Sequence, residues 1–178
     1  MSGVEIPLAL DGYRLRPYRD EDAALLAQLA NDHEVSRFLR DRFPHPYRVE
    51  DAREWIERTR SESESPPLSF AIAGAASTIL GGIGLERQPD VYRHSAELGY
   101  WLGRPHWGRG VATAAVIALC RYGFETLGLA RIYAHVFAPN LASARVLEKA
   151  GFVLEGRCRD AVIKDGSLLD ELLYGLLP

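Results

Sequence analysis

The sequence is poor in cysteine and methionine and has no long apolar run. Its 178 residues include 2 cysteines and 1 methionine. Two cysteines form at most one bridge, so a disulfide-stabilised scaffold is excluded, and we expect Cys120 and Cys158 to be reduced structural thiols. No apolar run approaches the roughly 18 residues of a membrane span, and residues 1–10 have no basic region ahead of an apolar stretch. We therefore expect a cytoplasmic protein with no membrane partner.

An excess of basic charge is also missing. The 21 Lys and Arg residues are outnumbered by 24 Asp and Glu residues, which gives a formal net charge of −3. Nucleic-acid binding generally needs a strongly basic face, so we expect no nucleic-acid partner. Hydrophobic residues make up 47% of the chain and charged residues 25%, as in ordinary globular proteins. The length suits one hydrophobic core, and we expect residues 1–178 to form a single domain.

Two common kinds of catalytic centre have no support in the sequence. The 5 histidines do not have the spacing of a metal site, and there is no G-x-S-x-G motif of a serine hydrolase. His106 lies in a glycine-rich loop and His135 on an expected strand, and we interpret both as structural or surface residues. We therefore expect no metal.

The first part of the chain predicts one strand and two helices. Residues 13–18 alternate as in a strand, and Asp20 is a candidate N-cap for a helix that ends near Ala30. Two prolines within residues 43–46 interrupt the chain, and apolar residues over 52–59 then recur with helical spacing. The polar segment 61–67 ends in two prolines and is expected to be a loop.

The rest of the chain predicts an antiparallel meander, a central helix and a final hairpin. Three consecutive strands are expected at residues 68–73, 79–87 and 95–102. The apolar period then predicts a helix of about four turns from Ala112. The later elements are a strand at 131–137, a helix at 141–150 ended by Gly151, a strand from Phe152, and a hairpin turn at Asp165-Gly166. The pattern is mixed α/β with mostly antiparallel neighbours.

The most informative segment joins the third strand of the meander to the central helix. Residues 103–112 read Gly-Arg-Pro-His-Trp-Gly-Arg-Gly-Val-Ala. The first N–H groups of a helix have no acceptor within it, the helix dipole adds positive charge, and glycine lets the backbone approach an anion. The segment therefore predicts a pyrophosphate site, although Gly103, Gly108 and Gly110 are equally consistent with a sharp turn alone.

The same spacing imitates the nucleoside-triphosphate loop G-x-x-x-x-G-K-[ST]. Arg109 stands where that loop needs a lysine, and Gly110 stands where it needs the hydroxyl that binds magnesium. A nucleoside-triphosphate enzyme is therefore the weakest interpretation of the segment.

Residues 107–112, Trp-Gly-Arg-Gly-Val-Ala, resemble the signature [Q/R]-x-x-G-x-[G/A] of the GNAT superfamily of N-acetyltransferases. Trp107 replaces the usual glutamine or arginine, which resembles the branch of the ribosomal-protein N-terminal alanine and serine acetyltransferases. Residues 15–17, 96–102 and 140–152 also fit that branch. The resemblance extends over a core of about residues 13–177. It implies an α/β fold with a mixed, mostly antiparallel sheet of seven strands and about four flanking helices.

The resemblance also implies a site for acetyl-coenzyme A, as cosubstrate, where the fourth and fifth strands separate. Pantetheine would lie along Trp101 and Leu102 and beside Asn140. The pyrophosphate would meet the backbone N–H groups of Trp107, Gly108, Arg109, Gly110, Val111, Ala112 and Thr113. Arg104 or Arg109 would screen its charge by charge-assisted hydrogen bonds, although a solvated surface role suits either arginine equally well.

Attack on a thioester needs a neutral amine, and Glu97 is the candidate base. A lysine-like ammonium has a pKa of about 10.4 and an α-ammonium about 7.7–8.0, whereas a thiol titrates at about 8.5. Removing the amine proton is therefore the harder proton transfer for lysine-like substrates, and a carboxylate can accept it directly or through water. Glu97 shares a strand face with Gly99 and Trp101. The alternative is that Glu97 is an ion-pair partner or a half-exposed strand residue.

Ser143 is the candidate acid for the leaving thiolate. Many members of the family use a tyrosine in the helix after the fifth strand, but the corresponding residue here is Leu147, so that role is not transferred. Water is the alternative proton donor. Asn140 and Ser143 also have a local explanation, because Asn140 is an excellent helix N-cap and Ser143 is the third residue of that helix.

The sequence thus predicts an N-acetyltransferase that moves an acetyl group from acetyl-coenzyme A to a primary amine. The acceptor would be a protein N-terminus or a small molecule such as a polyamine or an amino sugar. We expect its recognition by the first two helices, the loop at 40–48 and the final hairpin. A non-catalytic acyl-coenzyme A sensor is the alternative, and either a monomer or a homodimer fits the resemblance.

Overall fold

Eight strands form one mixed sheet within the part of the chain that the computed structural model describes, residues 4–61 and 68–178. Residues 62–67 of the expected loop lie outside the described residues. The strands are β1 (Ile6–Pro7), β2 (Arg14–Arg16), β3 (Ser69–Ala73), β4 (Ile79–Arg87), β5 (Ser95–Leu102), β6 (Arg131–Phe137), β7 (Val153–Lys164) and β8 (Ser167–Leu176). Their order is β1-β2-β3-β4-β5-β6-β8-β7. β5 and β6 are parallel, and the other neighbours are antiparallel.

Helices cover both faces of this sheet. Over the same described ranges there are five: α1 (Ala23–Ala30), α2 (His33–Ser36), α3 (Val49–Ser61), α4 (Val111–Glu125) and α5 (Leu141–Lys149). α1 and α3 pack on one face, in an apolar cluster that includes Leu26 and Ile56. α4 and α5 pack on the other face, where Leu119, Ile132 and Leu147 are fully buried. The sheet thus divides the core into two layers.

The α/β class and the mixed, mostly antiparallel sheet are confirmed. The described residues form one strand more than the expected seven and one helix more than the expected four or so. The additional elements are the shortest: β1 has 2 residues and α2 has 4. Elements of this length are too short to show the alternation or the helical period from which strands and helices are predicted. The meander, the central helix and the final hairpin have the expected order. The hairpin turn also has the expected form, with positive φ at Asp165 and Gly166.

The start of the first helix differs from the prediction. Asp20 is not its N-cap but lies in a 3₁₀ turn, Asp20–Asp22, and α1 begins at Ala23. The carboxylate that organises this turn is Asp22, which accepts a hydrogen bond from the Arg19 N–H at 2.8 Å. Asp22 also forms a buried ion pair with Arg16 at 2.7 Å. The buried arginine of β2 therefore accounts for the use of Asp22 rather than Asp20.

Candidate active site

The candidate site is created by an incomplete strand pairing in the middle of the sheet. β5 and β6 share three residue pairs, the last of which is Glu97 with Tyr133. Beyond this pair the strands separate, and a cavity of about 850 Å³ is lined by residues 97–101 of β5 and 134–137 of β6. Because β1 adds one strand, these are the strands that the resemblance counts as fourth and fifth.

The turn before α4 has the backbone geometry of an anion site. Gly108 and Gly110 have φ angles of 71° and 76°, left-handed values that favour glycine. Gly110 is the N-cap of α4 and supplies no side-chain cap, so the N–H groups of Val111, Ala112 and Thr113 have no acceptor within the helix. A Cβ at either glycine would meet no heavy atom of the described residues within 4 Å. Within the described residues, the turn therefore offers open space and unpaired donors at the positive end of the α4 dipole. The Trp107 N–H, which was also expected to face the pyrophosphate, donates to the Arg104 carbonyl oxygen at 3.2 Å.

Gly103, the first glycine of the segment, has a different role. Its φ is −59°, which any residue adopts. A Cβ at this position would lie 2.6 Å from Leu29 Cδ2 of α1. Gly103 is therefore needed for packing between the turn and α1, and only Gly108 and Gly110 border the open space.

The two arginines of the turn have different partners. Arg104 Nε lies 2.9 Å from Asp32 Oδ2, and Asp32 is the N-cap of α2. The charge of Arg104 thus holds the turn against the helical layer. Arg109 is exposed and lies near His106. The pKa of the His106 imidazole is lowered, first by partial burial of the ring and second by the positive charge of Arg109. Arg109 is therefore the better placed of the two to screen a bound anion.

Trp101, Leu102 and Trp107 have separate surroundings. Trp107 Nε1 donates to the Leu102 carbonyl oxygen at 2.8 Å, which ties the turn to the end of β5 and engages one of the backbone groups expected to face pantetheine. The Leu102 side chain is buried in the core. Trp101 projects toward α1 and α3, where its ring contacts the Phe43 ring edge-on at a centroid distance of 5.3 Å. The Trp101 side chain thus borders the cavity on the side away from α5.

Glu97 lies where β5 and β6 separate. Its side chain is 16% exposed, and its Oε1 accepts a hydrogen bond from Arg40 Nη2. The same oxygen lies 3.1 Å from His135 Nδ1. Arg40 belongs to the loop between α2 and α3, and His135 to β6. Glu97 is therefore an ion-pair partner and also a carboxylate that lines the cleft.

His135 connects Glu97 to a second carboxylate. His135 Nε2 lies 3.9 Å from Glu171 Oε2, and Glu171 belongs to β8. Sequence reasoning missed the contributions of Arg40, His135 and Glu171. A signal existed for Arg40, whose loop was expected to contact the acceptor. His135 and Glu171 become neighbours only through the register of β6 with β8, which the sequence does not display.

The opposite wall of the cleft begins at the cap of α5. Asn140 is the N-cap, and its Oδ1 accepts a hydrogen bond from the Ser143 N–H at 3.2 Å. Ser143 Oγ lies 2.7 Å from the hydroxyl oxygen of Tyr100. Leu147 follows one turn later and is fully buried. The family resemblance points to a tyrosine within the helix, whereas Tyr100 reaches α5 from β5, and nothing in the local sequence indicates that contact.

The cavity wall on the side of α1 and α3 is rich in aromatic rings. It includes Tyr18, Phe38, Phe43, Tyr47, Trp55 and Trp101. The guanidinium of Arg58 stacks over the Trp55 ring at 4.7 Å. Burial raises the pKa of the Tyr47 phenol to about 12. The cavity that Glu97 lines is therefore bordered by aromatic rings on the side of α1 and α3.

Among residues 4–61 and 68–178, no three His, Cys, Asp or Glu side chains are grouped so that they could hold a metal ion. No helix in those ranges combines the length and the apolar character needed to cross a membrane.

Comparison with known proteins identifies relatives over most of the chain. Residues 13–153 match the family model described as acetyltransferase (GNAT) domain. The uncharacterized N-acetyltransferase p20 of Bacillus licheniformis is 34% identical over 164 residues, which cover 92% of this chain and 91% of that protein. The [ribosomal protein uS5]-alanine N-acetyltransferase of Escherichia coli (strain K12) is 33% identical over 97 residues, 53% of this chain and 50% of that protein. The structure of RimL, a ribosomal L7/L12 alpha-N-protein acetyltransferase in complex with coenzyme A, has the same fold, with a TM-score of 0.83 over 98% of both chains at 19% identity.

Proposed function

The chain belongs to the GNAT acetyltransferase family, and we propose on that basis that it moves an acetyl group from acetyl-coenzyme A to a primary amine by direct attack in a ternary complex. One observation supports this most strongly. Glu97, a candidate base, and Ser143, a candidate acid, line the same cleft, which opens between the separated strands β5 and β6. Family membership also removes the nucleoside-triphosphate enzyme from consideration.

The proposed coenzyme path starts at the turn before α4. The unpaired N–H groups from Gly108 to Thr113 would bind the pyrophosphate, and Arg109 would screen its charge. Pantetheine would continue along the backbone of Trp101 and Leu102 and past Asn140. Because Trp107 already engages the Leu102 carbonyl, we expect pantetheine to use other backbone groups of β5.

In the proposed chemistry, one wall of the cleft acts on the attacking amine and the other acts on the leaving thiolate. On one wall, Glu97 accepts a proton from the acceptor ammonium, directly or through water, and the neutral amine attacks the acetyl carbon. A backbone N–H in residues 98–101 would stabilise the oxyanion that forms. On the other wall, the Ser143 hydroxyl donates a hydrogen bond to the leaving thiolate, which then takes a proton from water. Arg40 and His135 contribute by holding the Glu97 carboxylate in place.

For the acceptor we favour the α-amine of a protein N-terminus over a small-molecule amine. The support is the similarity to an enzyme whose name specifies ribosomal-protein alanine N-acetylation, over about half of each chain. The aromatic wall of the cavity would suit the first side chains of a peptide. We further propose that residues 1–178 act as one domain, with a core over about 13–177.

Release of free thiol from acetyl-coenzyme A tests the proposal. Short peptides that begin with alanine or serine would be compared with the same peptides blocked at the N-terminus, with a polyamine and with an amino sugar. We expect the free α-amine peptides to give the highest kcat/KM, with the acetyl group found on the N-terminal residue by mass spectrometry. Acetyl-coenzyme A binding in calorimetry without thiol release from any amine would instead support the sensor.

A further inference from the structure

Tyr100 connects the two walls of the cleft through its hydroxyl. It lies on β5, and its ring packs against the apolar cluster beneath α4. Its hydroxyl oxygen lies 2.7 Å from Ser143 Oγ and 3.3 Å from the Ser143 carbonyl oxygen of α5. Both side chains line the cavity. A tyrosine hydroxyl therefore does reach α5, although it comes from the neighbouring strand and Leu147 occupies the helical position.

Ser143 is restrained at two points. Its backbone N–H donates to Asn140 Oδ1, which fixes the first turn of α5, and its hydroxyl meets Tyr100. An unrestrained serine side chain has three staggered positions, and its proton rotates to suit its neighbours. The contact with Tyr100 thus selects one position of the Ser143 oxygen.

The direction of this hydrogen bond decides what Ser143 can do. Burial raises the pKa of the Tyr100 phenol to about 12, because a phenolate would be poorly solvated there, so Tyr100 keeps its proton at neutral pH. When Tyr100 donates to Ser143 Oγ, the serine hydrogen is available for a second acceptor in the cleft. In the reverse direction the serine hydrogen is used within the pair, and the Tyr100 hydroxyl donates instead to the Ser143 carbonyl oxygen at 3.3 Å. Donation to Ser143 Oγ at 2.7 Å uses the shorter of the two contacts that Tyr100 makes.

We propose that Tyr100 is a positioning residue for acetyl transfer, which donates to Ser143 Oγ and so directs the Ser143 hydroxyl hydrogen at the leaving sulfur. This inference rests on the proposed function. As the amine nitrogen bonds to the acetyl carbon, the carbon–sulfur bond breaks and its electron pair stays on sulfur. The Ser143 hydroxyl donates a hydrogen bond to this thiolate, which then takes a proton from water. The amine proton passes to Glu97 and on to water, so Tyr100 and Ser143 each keep their own proton.

A double-mutant cycle tests the inference. Tyr100→Phe keeps the buried ring and removes the hydroxyl, Ser143→Ala removes its partner, and the third variant combines the two changes. Loss of one hydrogen bond that matters in the transition state should lower kcat about tenfold in Tyr100→Phe. The dissociation constant of acetyl-coenzyme A, measured by calorimetry, should change less than about twofold. In the Ser143→Ala background, Tyr100→Phe should have almost no further effect, because the residue through which it acts is gone.

A matched control is Tyr13→Phe, which removes a hydroxyl from a ring that packs against the same apolar cluster away from the cavity. It should retain wild-type kcat. If Tyr100→Phe does not fold, a fluorinated tyrosine at position 100 keeps the shape but has a more acidic phenol, and its activity should decline at a lower pH than that of the wild type.

Three results would overturn the inference. The first is full kcat in a folded Tyr100→Phe variant, and the second is that the two changes in the cycle have independent effects on kcat. The third is that fluorinated tyrosine leaves the alkaline limb of the pH profile of kcat unchanged. In each case the wild type would still release thiol, so the proposed function would stand. Absence of thiol release by the wild type would overturn the proposed function and this inference together.

Discussion

Arg40 and Glu97 are separated by 57 positions in the sequence and form an ion pair at the base of the cleft. The pair joins the loop between α2 and α3 to strand β5. If this loop contacts the acceptor, as the sequence analysis expects, then a movement of the loop also moves the candidate base. Acceptor binding and proton transfer would thus be linked through one side-chain contact.

Replacing Glu97 by glutamine should slow the chemical step by on the order of 10²- to 10⁴-fold, because the shape is kept and a basic oxygen is lost. Acetyl-coenzyme A affinity should hardly change. The defect should shrink as the pH rises toward the pKa of the acceptor ammonium, since solution then supplies neutral amine. The measurement is the pH profile of kcat for wild type and Glu97→Gln with one amine. Wild-type kcat at neutral pH in the variant would exclude Glu97 as the base, and a defect independent of pH would indicate an orienting role.

Replacing Arg40 by glutamine should lower kcat about tenfold, since the Glu97 carboxylate loses a charge-assisted hydrogen bond. The effect should be small when Glu97 is already glutamine. Arg53→Gln is a suitable control, because Arg53 is an exposed residue of α3 that pairs with Glu50 at 4.0 Å. Equal losses of kcat in the Arg40 and Arg53 variants would indicate a general effect of net charge.

Replacing Gly110 by aspartate should weaken acetyl-coenzyme A binding, because a negative charge then lies at the N-terminus of α4. Gly110→Asn is the matched control: asparagine tolerates the same left-handed backbone and has nearly the same shape, but is neutral. Calorimetry should show a dissociation constant about tenfold higher for the aspartate than for the asparagine variant. Equal affinities of the two variants would remove the phosphate from this turn.

Replacing Gly103 by alanine should lower the free energy of unfolding by about 1–3 kcal/mol, because the new methyl group overlaps Leu29. Gly156→Ala is the control, since a Cβ at Gly156 meets nothing within 4 Å among the described residues and its φ is not left-handed. Urea unfolding measures both. A stable Gly103→Ala protein would show that α1 can move away from the turn at little cost.

The two thiols should react at very different rates. Burial raises the pKa of Cys120 to about 12, so at pH 8 this thiol is protonated as well as inaccessible, whereas Cys158 is exposed. A disulfide reagent should therefore modify one thiol per native chain at pH 8, and two in denaturant. Cys158→Ser should abolish the fast reaction. Rapid modification of both thiols in the native protein would contradict the buried position of Cys120.

Local rules predicted those parts of the site that depend on consecutive residues. A glycine-rich turn that enters a helix, as at Gly110, and an Asp-Gly hairpin turn, as at Asp165, are each determined within a few positions. The pairing of β3 with β4, of β4 with β5 and of β7 with β8 follows from their short connections, whereas the position of β8 between β6 and β7 does not. The relation to the ribosomal-protein acetyltransferases, expected from Trp107 and the strand motif, is confirmed by the relatives.

Contacts between distant segments were not predictable in the same way. The pairing of Glu97 with Arg40 and His135 depends on where a loop and a parallel strand pack. Gly103 and Gly110 are the same residue type in one turn, yet one is required by the Leu29 side chain and the other by its own backbone angle. A pattern of residue types does not distinguish these causes, because the neighbour that matters is absent from the local sequence.

The separation of β5 and β6 also creates an edge strand in the interior of the sheet. Beyond Glu97, β5 is paired with β4 on one side only, among the residues that the structure describes. Unpaired strand edges accept extended chains that carry amide groups, and this edge is open only to a chain slender enough to enter between the sheet's two halves. A molecule that binds there supplies hydrogen-bond partners to the unpaired backbone groups of β5. By mass action it stabilises the folded state over the unfolded one. We therefore expect amide hydrogen exchange at residues 98–102 to slow as coenzyme is added. The bound cosubstrate would occupy the place of a ninth strand, and its concentration would determine how often this part of the sheet opens.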